Sequence, residues 1–338
     1  MDLFLKIIGG LALVVGGILV LFLLFLWWGF RSLARNSPPP PSTIDLLPEA
    51  EPKWLEAEAV RTDLAAYEAL GFARGPAYTV EGIAGVSLIG LVQPDTGVMA
   101  VIYQHPAVGN WSELCVHFAD GFELTVTNAP MGQQMDTPPN TEKLYHKGMA
   151  VAGLHALTQE RLAGRETRKI TLGTFREEFI AEYARTMAWR NAKSGTSEEE
   201  FMRVAAGHDK KLTDEQLREA YRLTKLQELH TRSEEALRAF EKSTTLAVSE
   251  WKKYEHLMVV YRDDFHPEAY LDYLSHRISI EEQEIARYRD ALGGGLSLKG
   301  LMDRVAADTG RRFHRLGELT EPFSVEIYGI ELPNSAET

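Results

Sequence analysis

Three side chains that could take part in chemistry alternate along one predicted strand. Glu113, Cys115 and His117 are two residues apart within residues 113–127, where an Asp-Gly turn between two apolar runs predicts a β-hairpin. Residues two apart on a strand lie on the same face, so Cys115 and His117 could form a nucleophile with its base. No nucleophile motif accompanies them, and we expect a polar or half-buried sheet face instead.

A second group of polar residues lies further along the chain. Asp263, Asp264 and His266 are types of residue that bind metals, but their spacing is loose and Pro267 follows at once. This order is more typical of a turn that follows the end of a helix. His155 lies among apolar residues of a predicted helix, and we expect it to be a core or edge histidine.

Short motifs with a known mechanism are absent from the sequence, which has no P-loop, GxGxxG, GxSxG, HExxH, CxxC or EF-hand spacing. This removes the motif-defined enzyme classes without excluding every enzyme. We therefore predict no catalytic, cofactor-binding or metal-binding residues, and no cofactor. With 48 acidic and 36 basic residues the chain carries a net charge of −12, which argues against a nucleic-acid surface.

Two short runs are locally basic, residues 161–169 and residues 310–315. Such runs can contact anionic lipid headgroups, at about 1 kcal/mol per basic residue near the surface. More often they are solvated helix ends, where positive charge is favourable near the last carbonyl groups.

The N-terminal segment determines the predicted location of the chain. Residues 7–30 contain no charged side chain. As a helix they would be about 36 Å long, enough to cross a hydrocarbon layer of about 30 Å. We predict a retained transmembrane anchor in residues 1–35, with a helix over about residues 4–30. A signal peptide cut after Ala34 is the alternative, but the apolar run is too long and Lys6 is a weak basic start.

We also predict roles for residues at the C-terminal end of this helix and on one of its faces. Four residues are expected at the membrane interface: Trp27, Trp28, Arg31 and Arg35. Gly9, Ala12 and Gly16 share one helix face and could allow two helices to pair. The basic residues slightly favour a single-pass protein with a cytoplasmic soluble domain.

The rest of the chain predicts an α+β fold. Four prolines at positions 38–41 indicate a stiff linker, which we place at residues 36–51 with an irregular end. We predict one helix and an antiparallel meander of four or five strands in residues 52–140. Residues 141–322 are predicted to form a helical region packed on the meander. A last strand and tail are predicted in residues 323–338. That strand could return to the meander.

Helical periodicity and capping pairs define the predicted helices of the C-terminal region. They cover residues 142–163 with a break near Gly148, 175–192, 198–206, 214–259 with a possible break near Ser243, 267–291 and 297–308. The expected capping pairs are Thr174 with Glu177, Ser197 with Glu200, Thr213 with Gln216 and Ser279 with Glu282. The last pair falls inside a predicted helix and could instead mark a break there.

Three functions are compatible with these features. The first is a membrane-tethered binding or scaffold protein that holds a protein partner or small ligand near the lipid bilayer. The second is a membrane-associated enzyme of an unrecognised class. The third is a self-associating structural subunit of a membrane complex. The missing catalytic motifs favour the first.

Overall fold

The computed structural model describes residues 39–130, 132, 135–206 and 212–332. The predicted anchor lies outside these residues, as do its interface residues and its pairing face. None of the helices in the described ranges has the length and apolarity needed to cross a bilayer. The described chain is a mixed α+β structure, and the described residues from Pro40 onward form one compact unit.

The strands and helices alternate in blocks along the chain. The strands are β1 (Asp45–Glu49), β2 (Ala73–Glu81), β3 (Ser87–Val92), β4 (Met99–His105), β5 (Gly109–His117), β6 (Glu123–Thr127), β7 (Thr141–Tyr145), β8 (Met258–Tyr261), β9 (Arg312–Leu319) and β10 (Val325–Glu331). The helices are α1 (Glu58–Ala69), α2 (Val151–Leu162), α3 (Phe175–Ala192), α4 (Glu198–Ala206), α5 (Asp214–Ser243), α6 (Val248–Tyr254), α7 (Pro267–Arg277), α8 (Glu282–Gly293) and α9 (Leu298–Thr309).

Strands β1 to β7 form one sheet in chain order. Neighbouring strands are antiparallel from β1 to β6, which agrees with the predicted meander, but β7 runs parallel to β6. The sheet is also larger than the four or five strands that the sequence predicted.

The additional strands lie where the sequence predicted other structure. Residues 45–49 were expected to be irregular, yet they pair with β2 because Leu46 inserts into the core and is fully buried. Pro48 lies opposite Tyr78 in this edge strand, a position in which the missing N–H is tolerated. Residues 141–145 were expected to begin a helix, but Leu144 packs into the core as part of β7.

Helices cover both faces of this sheet. Helices α1 and α2 pack on one face, around Leu114, Val116 and Leu124. Helix α3 packs on the other face, where Phe175 belongs to a cluster of buried residues that includes side chains of β1 to β4. Gly90 in the middle of β3 leaves room for the Phe175 ring, since a methyl group at this position would overlap the ring.

Strands β8, β10 and β9 form a second, antiparallel sheet in that order. The prediction that the last strand returns to the meander is therefore wrong. Strand β8 was predicted as part of a helix over residues 214–259, because four consecutive buried apolar residues show no strand period. Helices α5, α7, α8 and α9 cover the second sheet and share its hydrophobic core.

Several helix boundaries agree with the sequence signals. Helices α3 and α4 occupy the predicted ranges, and Thr213 and Gln216 form a reciprocal capping box at the start of α5. The Ser197 hydroxyl accepts from the N–H of Glu200. The Thr174 side chain caps no helix and bonds Thr171 instead, and the chain breaks between α7 and α8 near Ser279.

The Gly90–Phe175 contact generates the first prediction. Gly90→Ala should lower the free energy of unfolding by about 1–3 kcal/mol, because overpacking forces α3 away from the sheet. Gly173→Ala is the matched control, since the added methyl group would meet only the Thr171 hydroxyl at 3.7 Å. Chemical denaturation measures both variants, and equal stability of the two would contradict the packing described.

Candidate functional site

Strands β5, β6 and β7 present polar side chains toward the α3 side of the sheet. Glu113, Cys115 and His117 alternate on β5 with the apolar residues that pack under α1 and α2. Thr125 lies opposite Cys115 on β6 and next to Lys143 on β7. The predicted shared face of the three β5 residues is thus confirmed. We call these residues, together with Glu123 of β6, the polar face.

His117 lies between two carboxylates. Its Nδ1 atom is 3.3 Å from Oε1 of Glu123, and its Nε2 atom is 3.3 Å from Oε2 of Glu182 on α3. Arg185, one turn further along α3, binds Glu123 at 2.8 Å. The His117 side chain is only 5% exposed, so water competes little for these contacts.

The two carboxylates determine the protonation of His117. Burial alone would disfavour the imidazolium, but the close carboxylates of Glu123 and Glu182 outweigh it and raise the pKa of His117 to about 9. The same contact lowers the pKa of Glu123. The shift favours the imidazolium of His117 at neutral pH, a form that has no free lone pair with which to accept a proton.

Cys115 is held in its neutral form. The residue is 7% exposed, and burial raises the pKa of its thiol well above the usual range, with a further contribution from Glu182 and Glu113. The Sγ atom has the hydroxyl of Thr125 as its polar neighbour at 3.9 Å. A nucleophile needs a thiolate and a neutral base, and these pKa shifts favour neither form in a Cys115–His117 pair.

A second ion pair occupies the other end of the polar face. Lys143 Nζ is 3.1 Å from the carboxylate of Glu113, which also accepts from the Tyr103 hydroxyl at 3.3 Å. Burial would lower the pKa of Lys143, but the Glu113 charge outweighs this and raises it. Tyr103 stacks on Trp111 with a centroid distance of 4.9 Å, which extends the face with aromatic surface.

A cavity of about 510 Å³ opens at the His117 end of the polar face. Its wall is formed by the β5–β6 turn, with the rings of Phe118 and Phe122, and by Arg168 and Arg185. Arg168 is paired with Glu178 at 2.6 Å. The cavity thus combines aromatic rings with charges of both signs, which suits the binding of a polar or charged group.

The second candidate group has an ordinary structural role. Asp263 accepts from the Tyr261 hydroxyl, Asp264 pairs with Arg262, and His266 caps α7 through its Nδ1 atom. Within the described ranges, no three His, Cys, Asp or Glu side chains are placed to hold a metal ion. The sequence indicated that this segment follows the end of a helix, but in the structure it follows strand β8.

His155 and arginines of the two basic runs also contact neighbouring side chains. His155 is half-buried, packs edge-on against Phe72 at 5.9 Å, and has a pKa lowered by burial, as expected of an edge histidine. Three arginines of the first basic run pair with carboxylates: Arg161 with Glu142, Arg165 with Asp120 and Arg168 with Glu178. In the second run, Arg315 pairs with Glu318 and Glu326.

Sequence reasoning missed the α3 side of this site. Glu178, Glu182 and Arg185 are spaced i, i+4 and i+7, a pattern that places charged residues on one helix face. That spacing could have been noticed, but it does not reveal which strand the face covers. Lys143 was missed because its segment was predicted to be helical.

Comparison with known proteins gives no match to a protein-family model, a curated protein or a solved structure. A functional assignment therefore depends on the geometry of the chain's own residues.

The raised pKa of His117 predicts a defined pH dependence of stability. Its folded pKa of about 9 exceeds the unfolded value of 6.5, so the contribution is complete below pH 6.5 and is lost as the pH rises through 9. Below pH 6.5, the free energy of unfolding of His117→Gln should be lower than that of the wild type by on the order of 2–3 kcal/mol. Urea denaturation between pH 6 and 10 should show the two curves converging. The exposed His256→Gln variant is the control, and a difference that is independent of pH would contradict the assignment.

The protonation and burial of Cys115 predict slow thiol chemistry. Because the chain has one cysteine, a thiol reagent such as DTNB reports on this residue alone. We expect at least about a hundredfold slower labelling in the native protein than in urea, since both the thiolate and access are suppressed. Native labelling as fast as in the unfolded chain would restore Cys115 as a candidate nucleophile.

Proposed function

We propose that the chain is a membrane-tethered binding or scaffold protein, in which the folded unit recognises a partner near the bilayer. The observation that carries this proposal is the cavity beside His117. It joins two phenylalanine rings to charges of both signs, and the pKa shifts of His117 and Glu123, which line it, favour their charged forms. Such groups support recognition better than proton transfer at neutral pH.

The tether rests on the sequence. Residues 7–30 are long and apolar enough to span a bilayer, and the prolines at positions 38–41 would space the folded unit from it. The partner is a protein or small ligand with a charged group that can reach Arg168 and Arg185. A membrane-associated enzyme and a homo-oligomeric structural subunit are the alternatives, and each has its own outcome in the experiment below.

The tether is tested first, by alkaline carbonate extraction of membranes that contain the full-length chain. The wild type should remain in the pellet. Val15→Lys with Leu19→Lys should appear in the supernatant, because each charge at a helix centre costs about 2.5–3.5 kcal/mol of insertion free energy. The matched control exchanges the same two positions for alanine and should remain in the pellet. Extraction of the wild type would contradict membrane tethering.

The binding surface is tested by cross-linking in gently solubilised membranes, followed by mass spectrometry. Arg168→Glu should lose the cross-linked partner, since Arg168 lines the cavity. Lys169→Glu makes the same charge change at the exposed neighbouring residue outside the cavity lining and should retain the partner. Equal capture by both variants would contradict the cavity as the binding surface. Cross-links to a second copy alone would favour the structural subunit, and turnover of a co-purified small molecule would favour the enzyme.

A further inference from the structure

The folded unit consists of two lobes with separate hydrophobic cores. The sheet lobe (residues 44–192) contains the seven-stranded sheet with α1, α2 and α3, and the C-terminal lobe (residues 213–332) contains the three-stranded sheet and its helices. Among the described residues, none of the three hydrophobic cores extends from one lobe into the other. The contacts that join the lobes must therefore be sought among polar groups.

Charged side chains of the C-terminal lobe donate hydrogen bonds to the end of α3 and to the segment that follows it. Arg262 at the end of β8 donates to the carbonyl oxygen of Asn191 at 2.9 Å and to that of Ala192. Lys225 of α5 donates to the carbonyl oxygens of Ser194 and, at 3.1 Å, Thr196. Water can replace such partners when an interface opens, so a junction of this kind separates at lower cost than an apolar one.

A short segment at the start of the folded unit reinforces this junction. The Tyr183 hydroxyl of α3 donates to the carbonyl oxygen of Pro41 at 2.7 Å. The Ser42 N–H donates to the carboxylate of Glu235 on α5, at 3.0 and 3.2 Å. Ser42 is 3% exposed, so the Glu235 carboxylate would lose a buried partner if the segment left.

Asn191 completes the contact from the sheet lobe. Its side-chain N–H₂ group donates to the Ser42 hydroxyl at 3.1 Å and to the carbonyl oxygen of Pro322, between β9 and β10, at 3.0 Å. Ser42 therefore lies where α3, α5 and the β9–β10 loop meet. It bonds one residue of each lobe at the same time.

We propose that Pro41 and Ser42 act as a clip that holds the two lobes closed, and that release of this clip lets the C-terminal lobe open. Of the four prolines at positions 38–41, the first three directly precede the clip and Pro41 is its first residue. A polyproline segment is stiff and transmits displacement better than a flexible linker. A pull on the chain N-terminal to the clip would therefore act first on the contact of Pro41 with Tyr183 and then on the Ser42 contacts. This proposal goes beyond the proposed function and holds whether or not residues 1–35 enter a membrane.

The test measures opening in the full-length chain, in mild detergent, by two readouts. Spin labels at Glu68→Cys on α1 and Gln283→Cys on α8, both exposed and in different lobes, report the distance between the lobes. Hydrogen exchange of the Thr196 N–H, which binds Glu228, reports the junction itself.

The variants separate the clip from general destabilisation. Ser42→Pro removes the donated N–H, and Glu235→Ala removes its acceptor. Each should lengthen the distance between the labels and accelerate exchange at Thr196 about fivefold per hydrogen bond lost. Ser42→Ala, which keeps the N–H, should give a smaller change. Glu234→Ala removes an exposed carboxylate from the neighbouring position of the same helix and should leave both readouts unchanged.

Two results would overturn the clip. One is an unchanged distance and exchange rate in both Ser42→Pro and Glu235→Ala. The other is an equal rise of exchange at buried amides of both cores, such as Ile89 and Val259, which would indicate global unfolding instead of opening between the lobes.

Discussion

The placement of α3 depends on a single missing side chain in the sheet. Gly90 is the position at which the Phe175 ring meets β3, and any Cβ atom there would overlap the ring. With this contact in place, α3 runs across the sheet and extends its charged face over β5 and β6. The same helix carries Glu182 to His117, Tyr183 to Pro41 and Asn191 to Ser42. The polar face and the junction between the lobes therefore both depend on close packing at one glycine.

Close packing of α3 over polar strands creates an electrostatic constraint. A buried charge without a partner is strongly destabilising, and the penalty is relieved only by nearby charges of opposite sign with good geometry. Cations and carboxylates accordingly alternate along this face: Lys143 with Glu113, then His117 with Glu123 and Glu182, then Arg185 with Glu123. Removing one partner leaves another charge uncompensated, so these side chains act as a network and not as separate pairs.

Much of the fold follows from local sequence patterns, and there is a physical reason why the other elements were predicted wrongly. The α3 and α4 ranges, the α5 capping box and the alternation on β5 are all set by neighbouring residues, and the sequence predicted them. Strands β7 and β8 depend on distant partners, because a short apolar or mixed segment becomes a strand only when a free sheet edge is available to it. In addition, the residues of β7 carry no local signal for a parallel partner.

The candidate site shows the same division between local and distant information. The shared face of Glu113, Cys115 and His117 could be derived from a period of two. Their chemistry could not, because it depends on Glu182 of α3 and Lys143 of β7, which are distant in sequence from β5. The spacing of two suggested a nucleophile with its base, but beside these charges the pKa values of both His117 and Cys115 are raised, which favours the imidazolium and the neutral thiol.

The direction of these pKa shifts also bears on the class of function. A general acid or base is most effective when its pKa lies near the working pH, so catalytic environments move carboxylates and lysines toward neutrality. The polar face does the opposite: the pKa of His117 is raised to about 9, that of Glu123 is lowered and that of Lys143 is raised. Each shift stabilises the charged form of its group at neutral pH. Mutually oriented side chains whose charged forms are favoured beside a cavity fit the binding function proposed above, because such groups need little reorganisation when a charged partner binds.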